Sequence, residues 1–108
     1  MIVRTAVALL AAGFASAALA QQPAGSADAG RKKIAMCEGC HGIPGYRTAY
    51  PEVYRVPLLG GQQAAYLLRA LQGYKSGARS HPSMRGIAAG LTDQDMADVS
   101  AYYAGGVK

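Results

Sequence analysis

The sequence has little that could build a large or heavily cross-linked structure. Its 108 residues contain only two cysteines, no internal repeat, and no alternation of apolar and polar residues that would predict a β-strand. A chain of this length forms one domain, so we expect no second one. Acidic residues are also few, 6 against 11 lysines and arginines. The net charge of +5 is too mild a surplus to predict nucleic-acid binding.

The longest apolar run lies near the N-terminus, between Arg4 and the small residues Ala18-Leu19-Ala20. It is about fifteen residues long, whereas a membrane-spanning helix needs about twenty. A short apolar run that follows an arginine and ends in a small-x-small pattern is typical of a cleaved leader. We therefore expect residues 1–20 to be a signal peptide and residues 21–108 to be the single working domain. An uncleaved N-terminal anchor is the alternative.

Three segments predict helices, so the fold class is all-α. The first runs over residues 26–40, the second over about 62–75, and the last from residue 92 to the glycines at 105–106. The second and last carry apolar stripes at spacings of three and four, formed by Ala64, Leu67, Leu68, Leu71 and Tyr74, and by Met96, Val99 and Tyr103. Between these two helices, Pro82 predicts a loop because proline does not fit a helix interior.

The two cysteines belong to one pentapeptide, Cys37-Glu38-Gly39-Cys40-His41, near the end of the first predicted helix. Residues three apart on a helical turn project to the same side, so both thiols can reach the two vinyl groups on one porphyrin edge. His41, adjacent to Cys40, can then place its imidazole under the iron. The motif predicts one covalently attached haem c, with His41 as the proximal iron ligand.

Other chemistries fit this motif less well. A disulfide between Cys37 and Cys40 would close a very short loop and constrain the unfolded chain little. A thioredoxin-like redox site normally lies at a helix start after a strand, and no such pattern surrounds the motif. A zinc site could be counted from the motif and His81, but the adjacent Cys40 and His41 make tetrahedral closure awkward. Cysteines without any chemical role are the plainest alternative.

The sixth position of the iron decides between an electron carrier, whose site is closed, and a ligand binder, whose site is open. Met84 is the candidate, since it lies in the Pro82 loop, far enough along the chain to reach the opposite face of the haem. Met36 directly precedes the motif and Met96 belongs to the stripe of the last helix, so both are expected in the core. His81 stays open as the rival ligand, because bis-histidine ligation is good haem chemistry.

These features together resemble the class I cytochromes c, and among them the small bacterial periplasmic proteins with one haem. The resemblance covers nearly all of the chain after residue 20. It is carried by Gly30, Cys37-Glu38-Gly39-Cys40-His41-Gly42, Pro57-Leu58-Leu59-Gly60-Gly61-Gln62, Met84, Val99 and Tyr102.

The resemblance implies a cytochrome c fold, with three main helices and loops around one covalently bound haem and its iron. It implies that the Pro57 carbonyl accepts the free N–H of His41 and fixes the imidazole, with Pro51 as a weaker candidate for that role. It also implies that the first and last helices cross where Gly30 allows a close approach to Tyr102.

The expected function is electron transfer in the periplasm, with no enzyme activity and no small-molecule substrate. Membrane or periplasmic redox proteins would be the partners, the mild positive charge would favour an acidic partner surface, and a monomer is expected. Two alternatives stay open, a gas-binding haem protein with an open sixth site and a subunit docked on a larger dehydrogenase or oxidase. The stretch from Tyr46 to Tyr54 has no clear counterpart in the family, and either lines the haem or forms a solvated loop.

Overall fold

The protein is all-α, as the sequence predicts. The computed structural model describes residues 22–50 and 53–106, and within them it forms helices and no strand beyond one isolated bridge. In chain order the helices are α1 (Ala27–Arg31), α2 (Ala35–His41), α3 (Ala64–Ser76), α4 (Pro82–Ala89) and α5 (Asp93–Ala104). The predicted signal peptide lies outside the described residues. None of the described helices has the length and apolar character needed to cross a membrane.

The first predicted helix is in fact two helices joined by a tight turn. α1 begins after the N-cap Ser26, whose Oγ accepts a hydrogen bond from Ala29 N at 3.3 Å. It ends early because the Lys33 N–H donates to the Gly30 carbonyl at 2.8 Å, which closes the turn. The turn directs Ile34 into the core, where only 4 % of the residue is exposed. The prediction of a single helix is therefore wrong, because a straight helix would not bury Ile34 in this way.

Lys33 ties the turn to α5. Its Nζ lies 2.7 Å from Asp98 Oδ2 and 2.8 Å from Asp95 Oδ1. The other oxygen of the nearly buried Asp98 accepts hydrogen bonds from Ser26 N at 2.8 Å and Gln94 Nε2 at 2.9 Å. These donors, with Lys33 first, stabilise the carboxylate and lower the pKa of Asp98 to about 2. We call Lys33, Asp95 and Asp98 the α1–α5 clamp.

α1 and α5 cross at very short range. A Cβ added to Gly30 would collide with the Asp98 carbonyl and would lie 2.9 Å from Tyr102 Cβ. Gly25, just ahead of α1, meets the Ala97 carbonyl in the same way. A side chain at either glycine would force the helices apart. The crossing at Gly30 and Tyr102 that the resemblance implies is therefore present.

α3 and α5 supply most of the apolar core. α3 starts two residues later than predicted and ends at Gly77, whose φ of +88° makes a left-handed cap. α5 begins with a capping box in which Thr92 and Asp95 bond to each other's backbone. The core cluster consists of Ile34, Leu67, Val99 and Tyr103. The predicted stripe of α5 is buried, whereas only Leu67 of the predicted α3 stripe is, because α3 borders a cavity.

Residues 82–89 form a helix where the sequence predicts a loop. Pro82 occupies the first turn of α4, where its fixed φ suits the helix and its missing N–H would have no intrahelical partner. His81 precedes it as an extended N-cap residue, with φ −161° and ψ 109°. The loop prediction is wrong because proline is excluded from helix interiors but favoured at their start. Met84 therefore lies on a helix.

Candidate functional site

A cavity of about 480 Å³ lies between α2, α3, α4, α5 and the segment that joins α2 to α3. Its wall is largely apolar, with Leu59, Leu67, Leu71, Ile87, Leu91 and Val99 among the lining residues. Arg55 and Arg79 also line it, and no aspartate or glutamate is found among the described lining residues. Such a space suits a large apolar ligand with negative charge at its periphery.

The reactive side chains of the predicted attachment motif face this cavity. Cys37, Cys40 and His41 lie on α2, are half-buried, and line the cavity together. Both thiols are free, so Cys37 and Cys40 do not form the disulfide considered above. Burial, with a smaller effect of nearby Glu38, raises the pKa of the Cys37 thiol. In the described part of the chain no three His, Cys, Asp or Glu side chains are grouped to hold a metal ion, so a zinc cluster that includes His81 is not formed.

His41 is held in one orientation. Its Nδ1 lies 2.6 Å from the carbonyl oxygen of Pro57, which also lines the cavity. Because a carbonyl oxygen only accepts, Nδ1 carries a proton, and in the neutral ring Nε2 then keeps its lone pair. The imidazole is therefore in the tautomer that binds a metal through Nε2. Pro51, the weaker candidate for this acceptor, lies outside the described residues.

Two methionines border the cavity, Met36 and Met84. Met84 is half-buried in the first turn of α4. Met36 is 58 % exposed, so the expectation that it is a core residue is wrong, because α2 buries none of its residues fully. Met96 is 1 % exposed and belongs to the core, as expected. Met84 is thus the methionine that is both sheltered and at the cavity wall.

The rival ligand His81 also borders the cavity, but its ring is already in contact with other groups of the protein. Its Nδ1 accepts a hydrogen bond from Met84 N at 3.3 Å. Its ring centroid lies 4.1 Å from that of Tyr54 and 6.1 Å from that of Tyr74. The structure therefore brings both candidates for the sixth position to one place.

The tyrosine-rich loop contributes to the cavity in part. Thr48 N donates to the Tyr54 carbonyl at 2.9 Å, and Arg47 pairs with Arg55 in an isolated antiparallel bridge. This pairing places Thr48, Tyr54 and Arg55 at the cavity wall. Tyr50, at the far end of the loop, is 88 % exposed. One part of this stretch therefore lines the cavity, and another part forms a solvated loop.

Arg79 is a cavity residue that the sequence reasoning does not identify. Its guanidinium carbon lies 4.8 Å from the Tyr74 ring centroid and 6.0 Å from that of Tyr66. The Arg79 N–H donates to the Gly73 carbonyl at 3.0 Å, which folds the chain back after α3. The only signal in the sequence is an arginine just beyond the glycine at the helix end, and that spacing does not reveal the turn.

The buried hydroxyl of Tyr103 bears on what the cavity can hold. The residue is 2 % exposed and lines the cavity, yet its hydroxyl finds no hydrogen-bond partner among the described residues. Burial, as the largest cause, raises the pKa of this hydroxyl. A buried hydroxyl without a partner is costly, so its position beside the cavity favours a bound group there. The thiols, the imidazole and the apolar wall likewise fit a covalently held haem.

Comparison with known proteins finds relatives that agree with one another. The family model for cytochrome c matches residues 27–104. Cytochrome c4 of Pseudomonas aeruginosa is 42% identical over 81 residues, which are 75% of this chain and 38% of that protein. Cytochrome c-554(548) of Halomonas halodenitrificans is 42% identical over 83 residues, which are 74% of this chain and 95% of that protein.

A solved structure is also similar. Reduced recombinant cytochrome c4 from Pseudomonas stutzeri matches with a TM-score of 0.60 and 38% identity, over 75% of this chain and 45% of that one. The chain thus spans about two fifths to one half of the length of the cytochrome c4 relatives it matches, but its match extends over nearly the whole length of cytochrome c-554(548).

Proposed function

Because the chain belongs to the cytochrome c family, we propose that it transfers single electrons on one haem. The family implies haem c and its iron as the cofactor, and Cys37 and Cys40 fit the attachment motif. The observation that carries the proposal is that α2 presents two thiols and one imidazole to an apolar cavity that Met84 also lines. Bound haem supplies an iron that takes up or releases one electron.

The residues of α2 hold the group from one side. Cys37 and Cys40 would form the two thioether bonds, and His41 would bind the iron through Nε2. The 2.6 Å contact between His41 Nδ1 and the Pro57 carbonyl supports this assignment. A carbonyl acceptor at that nitrogen fixes the ring orientation and makes Nε2 a better donor. Pro57 is therefore a positioning residue in the proposal.

Met84 is the sixth ligand in the proposal. Its half-buried position at the cavity wall supports this role. A thioether ligand combined with an imidazole ligand would raise the reduction potential and would leave no coordination site for a small molecule. A closed site of this kind carries electrons and catalyses no reaction of its own.

The physiological setting is part of the same proposal. The protein acts as a monomer in the periplasm and exchanges electrons with membrane or periplasmic redox proteins. The leader expected over residues 1–20 supports export. Without Arg4 of the expected leader, 10 basic residues remain against 6 acidic ones, and this excess supports docking on acidic partner surfaces.

A pyridine haemochrome spectrum of the full chain, expressed in a host competent in cytochrome maturation, tests the proposal. The expected spectrum is that of a haem attached by two thioether bonds, and the expected mass is that of the chain, less any leader, plus one haem. A colourless protein whose two thiols both react with a thiol reagent would refute it.

A second candidate is an electron-transfer module that stays docked on a larger protein. It is favoured by the finding that the matched segment is 38% of cytochrome c4 of Pseudomonas aeruginosa and 45% of the solved cytochrome c4 from Pseudomonas stutzeri. Purification from the native host under mild conditions, followed by native mass measurement, separates the two. A single 11.1 kDa chain, less any leader and plus one haem, supports the free carrier, and a stable larger assembly supports the module.

A further inference from the structure

His81 stands at the start of the helix that carries Met84. Its backbone is extended, Pro82 follows it as the first residue of α4, and its Nδ1 accepts a hydrogen bond from Met84 N at 3.3 Å. This is the geometry of an N-cap, in which a side chain satisfies one of the backbone N–H groups that a helix leaves unpaired. The capped N–H belongs to Met84 itself.

Aromatic contacts hold the His81 ring in place. Tyr54, from the loop between α2 and α3, lies against it with ring centroids 4.1 Å apart and a tilt of 38°. Tyr74, near the end of α3, meets it edge-on at 6.1 Å and 78°. The cap is therefore supported from two distant segments of the chain. A surface histidine without a structural role would not need such support.

The hydrogen bond also bears on the rival role of His81. When Nδ1 of a neutral imidazole accepts a hydrogen bond, the proton resides on Nε2. That tautomer has no lone pair at Nε2, and its Nδ1 lone pair is directed at the Met84 N–H. His81 in this geometry cannot coordinate iron.

We infer that His81 is a positioning residue that fixes the first turn of α4, so that the Met84 thioether is presented to the haem iron. The inference rests on the proposed function, because it takes Met84 as the sixth ligand. Methionine has a long, flexible side chain, so the fixed element must be the backbone that carries it. His81 supplies that fixed point through one nitrogen, and the ring contacts serve to aim that nitrogen.

Two substitutions separate the hydrogen bond from the ring packing. His81→Asn keeps a side-chain acceptor, and asparagine is among the best N-cap residues. His81→Phe keeps an aromatic ring between the tyrosines but has no acceptor, and His81→Ala removes both. Ser80→Ala, at the exposed neighbouring position, is the matched control, and Met84→Ala gives the open-site reference. All are prepared as holo proteins.

The measurements are the carbon monoxide binding rate of the ferrous form, the methionine-to-iron absorption band of the ferric form, and the reduction potential. His81→Asn and Ser80→Ala should match wild type. His81→Phe and His81→Ala should bind carbon monoxide about fivefold faster, the factor that corresponds to the loss of one N-cap. Their methionine-to-iron band should weaken while the haemochrome spectrum stays unchanged. Far-UV circular dichroism checks that each variant folds, and His81→Ala serves if His81→Phe does not.

The opposite outcomes are distinct. If His81→Phe behaves as wild type and His81→Asn opens the site, ring packing positions Met84 and the inference fails. If both open the site while Met84→Ala stays six-coordinate, His81 is the ligand and the inference fails as well. Equal carbon monoxide rates in all His81 variants also overturn it, without affecting the proposed function. A wild-type protein with no bound haem would instead refute the proposed function.

Discussion

Two residues of the same type at the cavity wall can differ strongly in how exposed they are. Met36 and Met84 are the same residue type and border the same cavity, but Met36 is 58 % exposed whereas Met84 is half-buried on α4. Residue type does not separate them, and their distance from the attachment motif says nothing about how exposed each one is. The difference lies in the support of the backbone that carries each, and only Met84 has a capped helix turn beneath it.

Met84→Ala should open the sixth position, and Met36→Ala should not. In the wild type a site closed by a protein ligand opens only in a minor population. The Met84 variant should therefore bind carbon monoxide to its ferrous form about tenfold to a thousandfold more tightly than wild type. Flash photolysis or equilibrium titration measures this affinity. A wild-type protein that binds carbon monoxide as readily as Met84→Ala would contradict the closed site.

Gly30→Ala should destabilise the protein, because its Cβ would collide with the Asp98 carbonyl on α5. Overpacking of this kind costs about 1–3 kcal/mol. Gly86→Ala on α4 is the matched control, since nothing lies within 4 Å of its added Cβ. It should be neutral or more stable by about 0.5–1 kcal/mol. Urea unfolding of the holo proteins measures both, and an unchanged Gly30→Ala protein would refute the close crossing.

At the scale of elements, the α1–α5 clamp predicts a stability that depends on pH. The pKa values of Asp95 and Asp98 are lowered from 3.8 to about 2 in the folded protein, with the Lys33 hydrogen bond as the largest cause. A depressed carboxyl pKa adds stability above the unfolded value, and this addition is lost as pH falls through the folded value. The advantage of wild type over Lys33→Met should therefore be steady above about pH 4 and fade toward about pH 2.

At alkaline pH the stability that the α1–α5 clamp contributes is lost as pH rises. The pKa of Lys33 is raised from 10.5, first by its hydrogen bond to Asp95, so its contribution is present below 10.5 and is lost as pH rises above it. Urea midpoints followed by circular dichroism at low salt measure both limbs. Lys32→Met, at the exposed neighbouring position, makes the same charge change outside the clamp and should show neither limb. If Lys33→Met were less stable than wild type by the same amount at pH 2 as at neutral pH, the stabilising role of the clamp would be refuted.

The elements also show where local sequence patterns succeed and where they fail. The last helix is predicted well because its start and end are marked by Thr92 and by glycines, signals that act over a few residues. The break between α1 and α2 has no glycine or proline at its centre, and it forms because Lys33 and Ile34 are drawn to partners far along the chain. Pro82 is ambiguous in sequence, since it excludes a helix interior but favours a helix start.

For the whole molecule, the predictable part of the site is the part that is contiguous in sequence. Cys37, Cys40 and His41 can be identified because one helical turn brings them together. Tyr54 and Arg79 come from separate segments and meet the cavity only after the fold is complete. The Pro57 contact lies between these cases, because the resemblance implies it and no local pattern does.

The haem is expected to be part of the core, because the protein alone has little core to fold around. The described core cluster has only four members, Ile34, Leu67, Val99 and Tyr103. Three of these also line the cavity of about 480 Å³, which is several times the roughly 150 Å³ of a cavity engineered into a protein core. Without haem, the apolar wall of this cavity would meet water, and the lost burial would remove a large part of the stabilisation.

The double substitution Cys37→Ala and Cys40→Ala should therefore abolish cooperative folding. We expect reduced helical circular dichroism, binding of a hydrophobic dye, and urea unfolding without a sharp midpoint, because the apolar wall of the cavity would lack the group that covers it. Met84→Ala, which keeps the covalent attachment, is the control and should still unfold cooperatively. A double variant that is free of haem yet unfolds as sharply as wild type would show that the four-residue cluster and the α1–α5 clamp hold the fold by themselves.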